Sequence, residues 1–293
     1  MYLDFYGLRE NPFNLTPDSH FLFLSDKHRE AMAHIRYGIE NKKGFILISG
    51  EIGAGKTTLC RSLLKDLEKS HKVALVLHPT VSPSGILRAI IKDLGVSAKA
   101  RSTHDMIDIL YSFLLETKNV VLLIDEAQNL SVSALEQIRL LGNLETEKEK
   151  LIQIVLVGQP ELKDILTKPS LKQLNQRISV RYHLYPLSRE ETCQYIGHRL
   201  QKSGEIGNLE FSGDALQLIY NYSGGIPRLI NIICEYCLLA GFVKNTFLID
   251  KDVVQHAVKE MQGGTILNMD KTDQVYEDIK LQTEPQITRI KAI

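Results

Sequence analysis

The chain has 293 residues, of which 44% are hydrophobic, enough to bury a sizeable core in one large domain or two smaller ones. Its 35 lysines and arginines are balanced by 35 aspartates and glutamates, so no overall field draws the chain towards nucleic acid or an anionic membrane. The four cysteines, and a first segment that does not read as a signal peptide, favour a reducing cytoplasm over a disulfide framework.

Five apolar runs predict the buried strands of a parallel sheet. Continuous Val/Ile/Leu runs are typical of strands covered on both faces, and their alternation with helix-period segments implies right-handed crossovers. We therefore expect an α/β nucleotide domain over residues 44–187, preceded by a linker and helix (1–43) that pack on it. The runs are GFILIS (44–49), KVALVLH (72–78), NVVLLID (119–125), IQIVLVG (152–158) and, more weakly, RYHLYPL (181–187).

Helix-start signals replace the strand signals after residue 187. Ser188 and Glu191 form a capping box, and Pro227 suits the first turn of a later helix. The sequence predicts a small all-helical domain over 188–262 and a polar linker or tail over 263–293. Two further helix starts are predicted at Ser212 and Asp250.

The longest apolar stretch, Ile226–Val243, predicts a core helix and not a membrane span. Arg228, Asn231 and Glu235 interrupt it, and each would be costly in hydrocarbon.

The sequence GEIGAGKTT predicts a phosphate-binding loop. It follows a strand and opens an amphipathic helix, which is the context that this motif requires. Glycines let backbone N–H groups close around phosphate oxygens, and the helix N-terminus adds positive potential. We expect Lys56 to reach the β- and γ-phosphates and the Thr57 hydroxyl to bind Mg²⁺. The expected nucleotide-binding residues of the loop are Gly50, Glu51, Ile52, Gly53, Ala54, Gly55, Lys56, Thr57 and Thr58.

Polar side chains also follow two other predicted strands. In VVLLIDEAQ, we expect Asp125 to hold Mg²⁺ through water and Glu126 to polarise the attacking water, which favours hydrolysis over mere binding. In IVLVGQPEL, two interpretations of Gln159 remain open. It either orients the water or senses the γ-phosphate, or it is a simple turn residue.

Arg228, in GGIPRLIN, stands at a helix start, where its charge opposes the helix dipole. We expect it to reach back across a cleft to the γ-phosphate, and we count it with the catalytic and nucleotide-binding residues.

A strand, the phosphate-binding loop, LLIDEAQ, VLVGQPEL, QRI and GGIPRLIN, in this order, resemble the AAA+ ATPases. More narrowly, the chain resembles the ExeA/GspA family of general secretion pathway ATPases, whose relatives serve pilus biogenesis and polysaccharide export. The opening MYLDFYGLRENPFNLTPDSHFLFLSDKHREAMAHI carries this narrower likeness. The resemblance covers roughly residues 1–261.

The resemblance implies a P-loop AAA+ sheet of strand order 5-1-4-3-2, a helical lid after it, and ATP between the two. Residues 2–13 would wrap near the adenine; the alternative is that their aromatic side chains pack a core under a loop. The implied ATP-site residues are Lys56, Thr57, Asp125, Glu126, Gln159 and Arg228.

In the resembled class, an arginine at the end of the helix before the fifth strand enters the neighbouring subunit's site and supplies a cation to the γ-phosphate. Arg177, in LNQRISVRYHLY, occupies this place, and Arg181, at the predicted strand start, is the reserve. Surface or structural arginines are the remaining alternative.

The sequence thus predicts a cytoplasmic Mg-ATP-hydrolysing AAA+ ATPase, with attachment at the periphery of the inner membrane left open. We expect it to self-assemble on nucleotide as a ring or filament and to serve a bacterial envelope secretion, pilus or polysaccharide-export system through an envelope-machinery partner. Long family members continue into a membrane span and a periplasmic peptidoglycan-binding region, and this sequence stops at Ile293 with neither. A direct role in opening the cell wall would therefore require that the chain is part of a longer protein or that a partner carries this region.

The alternative function is a DNA-associated AAA+ regulator of the transposition type. Neutral charge weakens it, and we expect no stable nucleic-acid binding. Steeply salt-dependent duplex binding by the ATP-loaded protein would favour this alternative. A nucleotide-binding scaffold without turnover is disfavoured by Glu126.

Overall fold

Five parallel strands form the main sheet of the computed structural model, which describes residues 1–263 apart from 17, 78, 80–81, 97–101, 148 and 205–207. The strand order is β2-β3-β4-β1-β5, which confirms the predicted order 5-1-4-3-2 as seen from the opposite edge. Every neighbouring pair is parallel. The strands are β1 (Phe45–Gly50), β2 (Lys72–Val76), β3 (Val120–Ile124), β4 (Ile152–Gly158) and β5 (Ile178–Leu184).

The fifth strand begins at residue 178 and not at the predicted 181. Ile178 and Val180 are buried and pair with Phe45 and Ile46 of β1, so the ladder starts directly after the preceding helix. Pro186, which lacks a backbone N–H for a ladder, lies beyond the strand end. Arg181 therefore lies in the middle of β5, and the prediction that it starts the strand is wrong.

Helices cover both faces of the sheet. The apolar core on one face draws on α4 to α8, and the core on the other face draws on α2 and α3. β1, β3 and β4 are buried along their whole length, as their mainly apolar sequences predict. These helices are α2 (Asp26–Glu40), α3 (Lys56–Leu67), α4 (Pro83–Asp93), α5 (Thr103–Glu116), α6 (Val132–Leu141), α7 (Glu161–Thr167) and α8 (Lys172–Arg177).

A separate apolar core lies among the C-terminal helices. The predicted starts at Ser188 and Ser212 are confirmed, since each hydroxyl accepts a bond from a backbone N–H of its helix. A two-residue parallel strand pair, β6 (Glu210–Phe211) with β7 (Leu248–Ile249), adds a detail that the sequence does not predict. The helices are α9 (Arg189–Lys202), α10 (Gly213–Ser223), α11 (Pro227–Val243) and α12 (Lys251–Gly263).

The apolar stretch at 226–243 is a core helix, as predicted: it forms α11, whose buried residues belong to the C-terminal helical core. Within the described ranges, no helix combines the length and the apolar character needed to cross a membrane.

The N-terminal segment packs on both parts of the molecule. Helix α1 (Tyr2–Tyr6), Leu8 and Phe13 join the core of the C-terminal helices, whereas α2 packs against β1 and β5. The prediction placed all of residues 1–43 on the nucleotide domain, and the structure differs because the aromatic side chains of the first segment find their apolar partners on α11. The domain boundaries remain predictions, and the proposed tail beyond residue 263 lies outside the described residues.

Two glycines offer a test of core packing. Gly142 caps α6. A Cβ at this position would overlap the Phe45 ring of β1, because it would lie much closer to the ring than two carbon atoms can approach. We expect Gly142→Ala to lower the free energy of unfolding by about 1 to 3 kcal/mol. Gly197, exposed within α9, has open space at its Cβ, so Gly197→Ala should raise that free energy by about 0.5 to 1 kcal/mol. Denaturant unfolding measures both, and equal effects would contradict this packing.

Candidate functional site

The phosphate-binding loop lies between the end of β1 and the start of α3. Gly50 ends the strand, Lys56 starts the helix, and the loop between them has positive φ angles of 82° at Gly53 and 93° at Gly55. Residues with a side chain rarely adopt this left-handed backbone conformation, so glycine suits both positions. The loop therefore places consecutive residues around the N-terminus of a 12-residue helix, as the sequence predicts.

Lys56 lies beneath the loop and is only 5% exposed. Its Nζ donates to the backbone oxygens of Gly50, at 2.7 Å, and Glu51, at 2.8 Å. Burial lowers the pKa of Lys56, while the nearby Glu126 and Asp125 carboxylates act in the opposite direction. The loop thus holds the Lys56 ammonium group against two neutral backbone oxygens, and the oxygens of a bound anion can replace these acceptors.

Thr57 and Asp125 meet across the carboxyl edge of the sheet. Thr57 Oγ1 donates to Asp125 Oδ2 at 2.6 Å, and the Glu126 N–H donates to the other carboxylate oxygen, Oδ1, at 2.9 Å. Asp125 is 2% exposed. The two predicted metal-binding residues are therefore adjacent, one at the start of α3 and the other directly after β3.

Glu126 contacts two side-chain amides. Gln159 Nε2, beyond the end of β4, donates to Glu126 Oε2 at 3.2 Å. Gln128 Nε2 donates to the same oxygen at 2.5 Å. Gln159 thus lies beside the predicted base, and its role stays a prediction, whereas Gln128 was missed because its sequence position indicates only a turn.

The start of α11 rests directly on the phosphate-binding loop. The Arg228 N–H donates to the Gly53 carbonyl at 3.3 Å, and a Cβ on Gly53 would lie 2.5 Å from the Arg228 Cβ. Glycine at position 53 therefore permits the approach of the helix. The exposed Arg228 side chain extends from a fixed point beside the loop.

A cavity of about 340 Å³ joins these groups. The loop (Ile52, Gly53 and Gly55–Thr58), Glu126 and Arg228 line one end. Asp125 and Gln159 are not among its lining residues and reach it through Thr57 and Glu126. The sequence-predicted residues named here are therefore brought together, some in the cavity wall and some directly behind it, whereas Arg177 lies elsewhere.

Sequence reasoning missed most of the other end of the cavity. It is lined by parts of residues 14–23 and by Tyr195, Arg199 and Asn231 of the C-terminal helices. The Tyr195 hydroxyl donates to Asn231 Oδ1 at 2.9 Å, and the Arg199 guanidinium lies 4.7 Å from the centre of the Phe21 ring. The i,i+4 spacing of Tyr195 and Arg199 was an available signal. Residues 2–13 do not line the cavity, and the buried Tyr6 and Phe13 follow the core-packing alternative.

His28 of α2 supports the loop from the side. It is 4% exposed, and its Nδ1 lies 2.8 Å from the Ser25 Oγ. A Cβ on Gly55 would lie 3.0 Å from His28 Nε2. Burial lowers the pKa of His28, against the smaller effects of the Ala54 backbone and Glu191. Sequence reasoning missed this contact because α2 and the loop are distant along the chain.

Arg177 and Arg181 lie away from the cavity wall. Arg177 is the exposed last residue of α8, and its side chain has no hydrogen bond or ion pair with any residue in the described ranges. Arg181 Nη2 donates to the backbone oxygen of Asn175 at 2.5 Å and to Asn175 Oδ1 at 2.7 Å. Of the two, Arg181 is held against its own subunit.

Comparisons with known proteins show the family of the chain. A family model described as an AAA domain matches residues 39–166. General secretion pathway protein A of Aeromonas hydrophila is 42% identical over 268 residues, which make up 90% of this chain and 49% of that protein. The chain belongs to the ExeA/GspA family of AAA+ ATPases. It spans about half the length of this ExeA/GspA relative.

More distant proteins share the fold. The RuvB subunit of the Holliday junction branch migration complex of Helicobacter pylori is 26% identical over 79% of this chain and 63% of its own length. The crystal structure of Cdc6p from Pyrobaculum aerophilum superposes with a TM-score of 0.66 at 17% identity, over 85% of this chain and 70% of that one. At that identity the structural likeness shows the fold alone, and it confirms the predicted AAA+ architecture for this ExeA/GspA chain.

The buried His28 makes stability depend on pH. Because its pKa is lowered in the folded state, the unfolded chain takes up a proton first as the pH falls below about 6.5, and stability is then lost. We expect His28→Gln to reduce the slope of unfolding free energy against pH by up to about 1.4 kcal/mol per unit in this range. Chemical unfolding between about pH 5 and pH 7.5 measures the slope. His104→Gln, at an exposed position, should leave it unchanged; equal slopes for the wild type and His28→Gln would refute the role.

Proposed function

We propose that this chain binds Mg-ATP in the cavity and hydrolyses it. The observation that carries the proposal is the convergence of Lys56, the Thr57–Asp125 pair and Glu126 at one edge of the sheet. A phosphate-binding loop with a metal-binding acid and a second acid beside it is the arrangement that phosphoryl transfer to water requires. Membership of an ATPase family supports it.

The residues that would hold Mg²⁺ fit that ion. Mg²⁺ prefers hard oxygen ligands and usually combines one or two protein oxygens with water and phosphate. Thr57 Oγ1 and Asp125 Oδ2, 2.6 Å apart, offer such a pair. Bound Mg²⁺ would neutralise charge on the β- and γ-phosphate oxygens. Among the described residues, no group of three or more His, Cys, Asp or Glu side chains could hold a metal by itself.

Glu126 is the proposed base, and its neighbours keep it available. Its carboxylate oxygen Oε2 accepts from the Gln128 and Gln159 amides, and no described residue donates to Oε1. Gln159 thereby links the tip of β4 to the base and takes the proposed role of orienting the attacking water. Lys56 and Arg228 supply positive charge, from the loop and from α11, to the phosphates.

Arg177 is the proposed arginine that acts on a neighbouring copy of the chain. Its exposed position at the end of α8, away from the cavity and without a side-chain hydrogen bond or ion pair to a described residue, supports this role. Arg181 is tied to Asn175 and is the weaker candidate. The site would then be completed only in a homo-oligomer, as a ring or a filament.

The proposed biological role is to support a bacterial envelope system for secretion, pili or polysaccharide export, in the cytoplasm or at the inner membrane periphery. The 42% identity with general secretion pathway protein A supports it over the DNA-associated alternative. Because the chain spans about half of that relative, its partner in the envelope machinery is also a proposal.

Glu126→Gln tests hydrolysis. The amide keeps the volume and the acceptor oxygen but cannot take a proton, so we expect unchanged ATP affinity and a fall in kcat of at least about 100-fold. Fluorescent-nucleotide binding and phosphate release measure the two effects. The control is Glu161→Gln, at the exposed first residue of α7, which should retain turnover. An active Glu126→Gln variant would refute the assignment of Glu126 as the base.

Arg177→Ala tests assembly. The wild-type rate per subunit should rise with protein concentration, and the variant should bind ATP normally but lose at least about 100-fold of this assembly-dependent rate. Arg181→Ala is the matched control and should keep most of the rate. A wild-type rate that is independent of protein concentration would contradict a site shared between subunits.

A further inference from the structure

The turn after β3 brings a second glutamine to the proposed base. Glu126 has a positive φ of 51°, and a 3₁₀ turn over Ala127–Asn129 follows it. The Asn129 N–H donates to the Glu126 carbonyl at 2.9 Å and closes the turn. The Gln128 amide nitrogen lies 2.5 Å from Glu126 Oε2.

The Gln128 amide also reaches β4. Its Oε1 accepts from the backbone N–H of Gln159 at 3.1 Å. A backbone N–H can only donate and an ionised carboxylate can only accept, so the two contacts fix which end of the amide faces which partner. Gln128 therefore bridges the ends of two neighbouring strands with both ends in their correct roles.

The backbone of β4 leaves room for this bridge. A Cβ on Gly158 would lie 2.8 Å from Gln128 Oε1 and 2.8 Å from the Leu162 side chain. That distance is shorter than a carbon can approach an amide oxygen without a shift of one of them. Glycine at 158 lets the Gln128 side chain lie against the strand end.

Glu126 Oε2 receives both amides. Gln159 Nε2 donates to it at 3.2 Å, beside the Gln128 bond at 2.5 Å. Both donors are neutral, so they hold the carboxylate in place without cancelling its charge. The other oxygen, Oε1, has no described donor, and Glu126 lines the cavity.

We propose that Gln128 is a positioning residue for ATP hydrolysis. It fixes the Glu126 carboxylate by one oxygen, and it couples this carboxylate to Gln159 through the backbone N–H of Gln159, directly after β4. The inference rests on the proposed function, because Gln128 would act only through Glu126, the proposed base, and would take no part in the chemistry itself. A misplaced base costs rate and not binding, since the carboxylate must be oriented for the water and contributes little to nucleotide affinity.

Two substitutions separate the contacts of Gln128. Gln128→Met keeps the length and removes both hydrogen bonds, whereas Gln128→Glu keeps an acceptor for the Gln159 N–H but turns a carboxylate towards Glu126. We expect both to lower kcat by about 10- to 100-fold, with KM and nucleotide affinity within about twofold of the wild type. Asn129→Ala, in the same turn and exposed, is the control and should keep the wild-type kcat.

A double-mutant cycle adds a readout that a merely structural residue would not change. If both amides act through one carboxylate oxygen, Gln128→Met combined with Gln159→Met should lose less rate than the product of the two single losses. Melting temperature and nucleotide binding show that each variant is folded. An active wild type with a Gln128→Met variant of equal kcat, or with fully multiplicative losses, overturns the inference alone, whereas a wild type without turnover overturns the proposed ATPase function itself.

Discussion

The site depends on the parallel direction of three adjacent strands. In a parallel sheet all strands end at one edge, so residues that follow β1, β4 and β3 lie side by side although they are far apart in sequence. The bond between Thr57 and Asp125 spans the gap from the helix after β1 to the end of β3. Reversal of any one of these strands would carry its polar residues to the opposite edge.

This edge also carries an electrostatic cost that its contacts offset. Lys56 and Asp125 are both nearly buried, and a buried charge without partners is strongly unfavourable. Backbone carbonyls satisfy the ammonium group, while a hydroxyl and a backbone N–H satisfy the carboxylate. The apolar residues of the three strands hold these groups in register, so the core stabilises an arrangement that would not persist in a flexible loop.

The sequence was most informative where local pattern and burial coincide. β1, β3 and β4 are buried throughout, so mainly apolar runs identified them, and the polar residues at their ends could be assigned. β5 is an edge strand with alternating exposure, which weakened its signal and misplaced its start. Gln128 reaches Gln159, and His28 lies beside Gly55; both partners are distant in the chain, so no local pattern marks these contacts.

The path of the first forty residues has a mechanical consequence. Residues 1–13 pack with the C-terminal helices and α2 packs on the sheet, so the chain crosses between the two parts once before Ser25 and again between β5 and α9. Two crossings restrict the relative displacement of the two parts more than a single connection would. The first crossing contributes to the cavity wall, so any displacement of one part against the other would change the shape of the cavity and the reach of Arg228 together.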